Sequence, residues 1–186
     1  MIAKWRVLSS TPILKDRWID LRADRCVTAS GAEISPYYVM TYPDWVHVVA
    51  VTTDDRLVLV RQYRHGAGEA VLELPGGAAD ADDSDVAATA RRELLEETGF
   101  AAEAIEPVTS PFANPAIHPN RVHFMLATGL ERRGPPALDR GEEGLSVELV
   151  PVDVVIAGLA GGVIGQAMHV AGVLLALQKL GRISIG

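Results

Sequence analysis

Between Val71 and Gly99 the chain passes from a short apolar run, through Pro75-Gly76-Gly77, into a segment that carries Glu93, Glu96 and Glu97 near its end. Helical capping signals bracket that segment. Ser84 or Asp85 is a suitable N-cap and Gly99 sits where a left-handed C-terminal turn is favoured, so a helix is expected over residues 85–98. Residues three and four apart share a helix face, which puts the three glutamates on one side. Ala87, Ala90, Leu94 and Leu95 fall on other sides and can dock on a sheet. Like charges at this spacing repel by a few tenths of a kcal/mol per pair, so the cluster is a cost unless a cation sits there. The bland alternative is a solvated acidic face with an ordinary Arg92–Glu96 pair. The preceding glycines weigh against it, because glycine lets backbone approach a metal or a phosphate closely. A hard divalent cation suits such a place: magnesium takes oxygen ligands, keeps several waters, and needs only one or two carboxylates beside substrate phosphates.

Around this unit the sequence reads as one α+β domain. Extended segments are expected at residues 5–8, 18–21, 25–28 and 33–41, the last after a turn at Ser30-Gly31, so the N-terminal part is β-rich. Residues 45–52 and 56–64 flank Asp54-Asp55 and read as a hairpin of central strands, with a short strand at 71–74. Further strands are expected at 103–108, 121–128 and 145–150, and a closing apolar helix at 166–180. Two loops carry polar signals: 111–120, with three prolines, and 132–143. Trp45 reads as structural and Cys26 as core. A single cysteine cannot pair within the chain, and Met1-Ile2-Ala3-Lys4-Trp5-Arg6 lacks an apolar export signal, so a reduced, cytoplasmic setting is expected. The net charge of −7 argues against non-specific nucleic-acid binding. Residues 154–178 carry no charge and are long enough to cross a bilayer, but Gly158, Gly161, Gly162 and Gly165 break them into two shorter helices, so no membrane association is expected.

The run from Gly77 to Arg92-Glu93-Leu94-Leu95-Glu96-Glu97-Thr98-Gly99-Phe100 resembles the Nudix box, G-x5-E-x7-R-E-U-x-E-E-x-G-U with U aliphatic or aromatic. Every fixed position of its second half matches. The first half departs: the loop is one residue longer, and counting back from Arg92 places Ser84 where a glutamate is expected, with Asp83 or Asp85 as substitutes. In the family that glutamate braces the box arginine. The resemblance implies a Nudix fold, an α/β/α sandwich with a β-rich N-terminal extension (residues 1–45 before a hydrolase domain at 46–186). It also implies Mg2+, or alternatively Mn2+, held by Glu93 and Glu97, support or a further contact from Glu96, and a ligand carbonyl from Gly76.

Leu59-Val60-Arg61-Gln62-Tyr63-Arg64 and Glu73-Leu74-Pro75-Gly76-Gly77 are similar to the ADP-ribose and nucleotide-sugar pyrophosphatase branch. There the arginine matching Arg64 contacts the diphosphate, for which a planar guanidinium is suited. Arg61, three residues away on a strand, should face the other way and is a weaker candidate. The branch implies a homodimer in which N-terminal aromatics, here Trp18 and Tyr37 or Tyr38, stack the base, though strand aromatics are also ordinary sheet residues. It implies a loop glutamate that binds metal or helps activate water; Glu142 and Glu143 occupy that place, with Glu143 preferred, and Glu97 shares the catalytic set. The resulting expectation is metal-dependent hydrolysis of a small nucleotide, ADP-ribose or a related ADP-sugar. GDP-mannose or another nucleotide sugar is an alternative, and a nucleotide-binding sensor without hydrolysis is a rival of another class, supported by the departure at Ser84.

Overall fold

The protein is described from a computed structural model, which defines residues 2–184. The backbone divides into two units, Met1–Pro43 with Phe112–Arg121, and Asp44–Pro111 with Val122–Gly186.

The first unit is a three-stranded antiparallel sheet in the order β1 (Arg6–Lys15), β2 (Asp20–Val27), β3 (Glu33–Met40). Its strands are longer than expected. Residues 18–21 and 25–28, read as two short strands, are joined in one β2 because it pairs on both edges, and its buried Asp24 is satisfied by Ser10 Oγ at 2.6 Å and Arg22 at 3.2 Å. β1 extends across Pro12, where a register shift on an edge strand absorbs the missing N–H. Residues 112–121 are tied to this sheet: Met40 N–H donates to the Ile117 carbonyl at 2.9 Å, and the buried Asn120 donates to the Pro43 carbonyl at 3.0 Å.

The second unit holds a seven-stranded mixed sheet. Its spine is β10 (Ser146–Pro151), β5 (Arg56–Arg64), β4 (Trp45–Val51), β9 (Val122–Arg132) and β8 (Phe100–Thr109); β6 (Glu69–Glu73) pairs with β5 and β7 (Gly76–Ala78) with β4. The expected β4–β5 hairpin pairs only at its root, Ala50 with Val58 and Val51 with Leu57. Beyond that the strands separate, β4 taking β7 and β9 as neighbours while β5 takes β6 and β10. The Gly-Gly segment is thus itself part of a short strand.

Alternation along β4 covers both faces. Val46, Val48 and Ala50 join Ala90 and Leu94 of α1 (Val86–Thr98) in one buried cluster. His47, on the opposite face, packs on Phe124 and on His169 of α3 (Ala167–Lys179). The sheet therefore lies between α1 and α3, the expected sandwich. Asp85, rather than Ser84, caps α1, accepting from Ala88 N–H at 2.8 Å, and Gly99 ends it in a left-handed conformation. Leu95, expected to dock on the sheet, is instead exposed, because the buried stripe runs through Ala90, Glu93, Leu94 and Glu97. The uncharged C-terminal run divides into α2 (Val152–Gly158), a 3-10 turn at Leu159–Gly161, and α3. Among the described residues no helix is long and apolar enough to cross a membrane.

Candidate active site

The path from β6 through Pro75 and β7 into α1 brings backbone and carboxylates together. Glu97 is only 4% exposed, and one of its oxygens accepts the Gly76 N–H at 2.7 Å. The Pro75 carbonyl accepts from Val48 N–H at 2.9 Å, so the turn is held on both sides. Gly76 and Gly77 cannot be replaced without displacement: a Cβ on Gly76 would lie 2.1 Å from the Val46 carbonyl oxygen, and one on Gly77 2.6 Å from a Glu93 oxygen. Burial, chiefly, pushes the Glu97 carboxyl up to about 8; repulsion from Glu93 and Glu142 adds to it, while the Gly76 N–H and the Arg64 charge oppose it. Glu93 is also buried and raised by that burial, with Arg92 opposing and Glu96 and Glu142 adding.

Arg92 is the hub of the acidic face. It donates to Glu93 at 2.8 Å and to Glu96 at 3.1 Å, and forks onto Asp83 at 3.0 and 3.3 Å. Asp83 thus supplies the brace that counting had assigned to Ser84. Its carboxyl is held down to about 2 by the Arg92 hydrogen bonds first and by Thr89 second. Ser84 is exposed and Asp85 is occupied at the cap. Glu96 is half-exposed and paired with Arg92, which sets it apart from the two buried glutamates.

The other wall comes from β5 and its neighbours. Arg64 donates from Nε at 2.9 Å and from Nη2 at 2.7 Å to one oxygen of the buried Glu73, which leaves the rest of its guanidinium free to meet another anion. Its charge is felt by Glu97 and by the buried pair His47 and His169. Arg61, one step off that face, is engaged by Glu148 of β10. His169 Nδ1 accepts the Leu74 N–H at 3.1 Å, a further tie on the turn. The 132–143 loop ends in a 3-10 turn, Arg140–Glu142, from which the Glu142 charge reaches both Glu93 and Glu97. Glu143 is exposed. Of the two loop candidates, Glu142 is the less exposed.

Sequence reasoning missed Glu73, Gln62 and His169. The first lies in the Glu-Leu-Pro-Gly-Gly run and the second two residues from Arg64, on the same strand face, so both were open to detection; nothing in sequence marks His169.

Among the described residues no three His, Cys, Asp or Glu side chains are grouped closely enough to hold a metal ion alone. What the site offers is a pair of buried carboxylates whose ionisation is opposed by burial and mutual repulsion, and a bound cation reverses both effects. That suits an ion that keeps several waters and shares its remaining positions with a substrate.

Trp18 and Tyr37 belong to the first unit. Trp18 is 69% exposed, with the Arg17 guanidinium 4.3 Å from its ring centre. Tyr37 is more committed: its hydroxyl donates to the Ala116 carbonyl and its ring meets Trp5 edge-on, centroids 5.8 Å apart.

Residues 42–167 match the NUDIX domain and residues 5–40 match the nucleoside diphosphate sugar hydrolase N-terminal domain. The chain is 30% identical over 154 residues to an ADP-ribose pyrophosphatase of Mycobacterium tuberculosis, covering 83% of this chain and 74% of that protein. It is 30% identical over 128 residues to a methanol dehydrogenase activator of Bacillus methanolicus, covering 69% and 68%. A solved structure described as an ADP compounds hydrolase superposes with a TM-score of 0.84 at 23% identity over 98% of this chain and 99% of that one, a likeness of fold.

Proposed function

The chain belongs to the NUDIX family and is a Nudix hydrolase, and from that premise we propose that it hydrolyses the diphosphate of a nucleoside diphosphate sugar in a magnesium-dependent reaction, with ADP-ribose or a related ADP-sugar as substrate. The observation that carries the reading is the buried Glu93–Glu97 pair with Glu142 bearing on both. The ADP-ribose assignment rests on relatives of that name in M. tuberculosis and B. subtilis, the latter 28% identical over 125 residues.

Glu93 and Glu97 hold the cation, with the backbone of Gly76 beside them and Glu96 supporting through Arg92. Magnesium, when bound, neutralises the diphosphate and polarises the attacking water. Arg64, oriented by Glu73, binds the diphosphate through the donors that Glu73 leaves open. Glu142 takes a proton from the water as its oxygen bonds to phosphorus and the bridging P–O bond breaks, releasing, from ADP-ribose, AMP and ribose 5-phosphate. Arg61, engaged by Glu148, is assigned to the strand surface rather than to substrate. Trp18 stacks the base, with Tyr37 shaping its surroundings. The first unit carries a second copy: β1 is exposed along its whole length, and the exposed Trp5, Val7, Ile13, Leu14 and Trp18, on it and beside it, leave apolar surface that a two-fold partner would cover. A cytoplasmic homodimer is the working state.

The test is a panel of nucleoside diphosphate sugars incubated with purified protein and Mg2+ or EDTA, products identified by mass. AMP and ribose 5-phosphate from ADP-ribose, abolished by EDTA, are expected. Preferential cleavage of GDP-mannose moves the substrate within the class, and absence of turnover with every member favours a binding module.

A further inference from the structure

On its N-terminal side the loop that carries Glu142 is held by Ala137 N–H, which donates to the Glu96 carbonyl of α1 at 2.7 Å, and its later part, residues 139–145, makes backbone contacts within itself. Glu142 N–H donates to the Asp139 carbonyl at 3.0 Å, Asp139 N–H to a Glu142 oxygen at 2.9 Å, and Leu145 N–H to the Glu142 carbonyl at 2.9 Å. All three are internal to the loop and fix its shape without fixing its place. On the C-terminal side the loop is anchored by the buried Leu145 and by the first rung of β10, Ser146 opposite Arg61. At that rung β10 begins, so the next residue of β5, Gln62, has no β10 residue opposite it. Its side chain takes over: Gln62 is 5% exposed, and its amide nitrogen donates at 3.0 Å to the carbonyl of Gly141, the residue before Glu142.

Gln62 and Arg64 lie on one face of β5, two residues apart. One reaches the loop of Glu142, and the other reaches Glu73 and acts on Glu97. A buried amide at this place has a chemical reason. The loop presents a carbonyl, which needs a donor. The next residue of the loop is Glu142, whose charge acts on Glu93 and Glu97, so a cation added here would compete for these carboxylates and an added carboxylate would repel them. A neutral donor of this length meets both demands.

The geometry points to Gln62 as a positioning residue for the hydrolytic reaction: it tethers the Gly141 carbonyl and so sets the Glu142 carboxylate against the Glu93–Glu97 pair. This rests on the role proposed above for Glu142, whereas the tether itself does not. Gln62 touches neither substrate nor metal in this scheme and acts through Glu142.

The experiment uses Gln62→Leu, which keeps bulk and removes the donor, in two measurements. Hydrogen exchange followed by mass spectrometry, without substrate, should show amides of residues 139–145 exchanging about ten-fold faster than in the wild type while β5 and α1 keep their protection. Unchanged exchange in the loop overturns the tether whether or not the protein turns over any substrate. Kinetics on the wild type, Gln62→Leu, Glu142→Gln and the double variant form a cycle. The single change at Gln62 should lower kcat by about ten-fold with KM within about two-fold, and add nothing in the Glu142→Gln background. An equal further loss in that background, or a KM effect without a kcat effect, overturns action through Glu142. If Gln62→Leu unfolds, Gln62→Met replaces it in both arms. Failure of the role proposed for Glu142 looks different: Glu142→Gln then keeps wild-type activity while the exchange result stands.

Discussion

Glu97 carries the strongest electrostatic signature in the site, and its consequences are measurable without substrate. Its folded carboxyl is raised from 4.5 to about 8, so between those values the folded chain holds a proton that the unfolded chain has lost. Its contribution to stability is complete below pH 4.5 and is lost as pH rises through 8. His47, depressed to about 4, contributes with the opposite sign below pH 6.5 and is silent above it. In EDTA, then, Tm should fall between pH 6.5 and 8.5, and Glu97→Gln should flatten that slope; a Tm that rises over this interval contradicts the burial argument. Saturating Mg2+ should also flatten it, because a ligated carboxylate stays ionised. The same Glu97→Gln variant should lose most of its turnover while remaining at least as stable as the wild type at pH 8, and a wild-type rate would remove Glu97 from the metal site. In the loop, Glu142→Gln should lower kcat by about 100-fold, within the usual range for a general base, with Glu143→Gln mild. Steady-state kinetics with both variants separates them, and the reverse ranking returns the role to Glu143.

Helix α1 has two acidic residues at its start with separate tasks. Asp85 caps the backbone, so Asp85→Ala should cost about 1 kcal/mol in urea unfolding. Asp83 binds the Arg92 side chain instead, so Asp83→Ala should release Arg92 toward Glu93 and Glu96 and reduce activity more than Asp85→Ala does. Ser84→Ala, at an exposed residue that does neither, should stay within about 0.5 kcal/mol of the wild type. Opposite activity rankings for Asp83 and Asp85 would reassign the brace. The one-residue-longer loop thus changes which side chain meets Arg92, and the acidic partner is kept.

For the whole protein, the exposed β1 and its apolar side chains are the feature a monomer would least tolerate. Sedimentation at assay concentration should give a dimer, and a monomer would defeat that part of the proposal. Trp18→Ala should raise KM for a purine nucleotide sugar by about ten-fold, from a stacking loss of roughly 1–3 kcal/mol, with metal dependence intact. Unchanged kinetics would leave Trp18 as an exposed aromatic under Arg17.

Local patterns made α1 legible from sequence: its caps, its carboxylate spacing and the strand and glycines before it are contacts between near neighbours in the chain. The sandwich was implied by the resemblance that α1 and its flanks carry, and strand alternation with an apolar closing helix agreed with it. What local pattern could not carry was partnership across long separations. That Asp83 rather than Asp85 meets Arg92 depends on how the loop folds back, since at this spacing either carboxylate could reach it. Gln62 meets the Gly141 carbonyl 79 residues away, and His169 meets Leu74 N–H across 95. The choice between Glu142 and Glu143 is of the same kind, because the direction of a side chain at the end of a 3-10 turn is set by what the turn packs on and not by its neighbours in sequence.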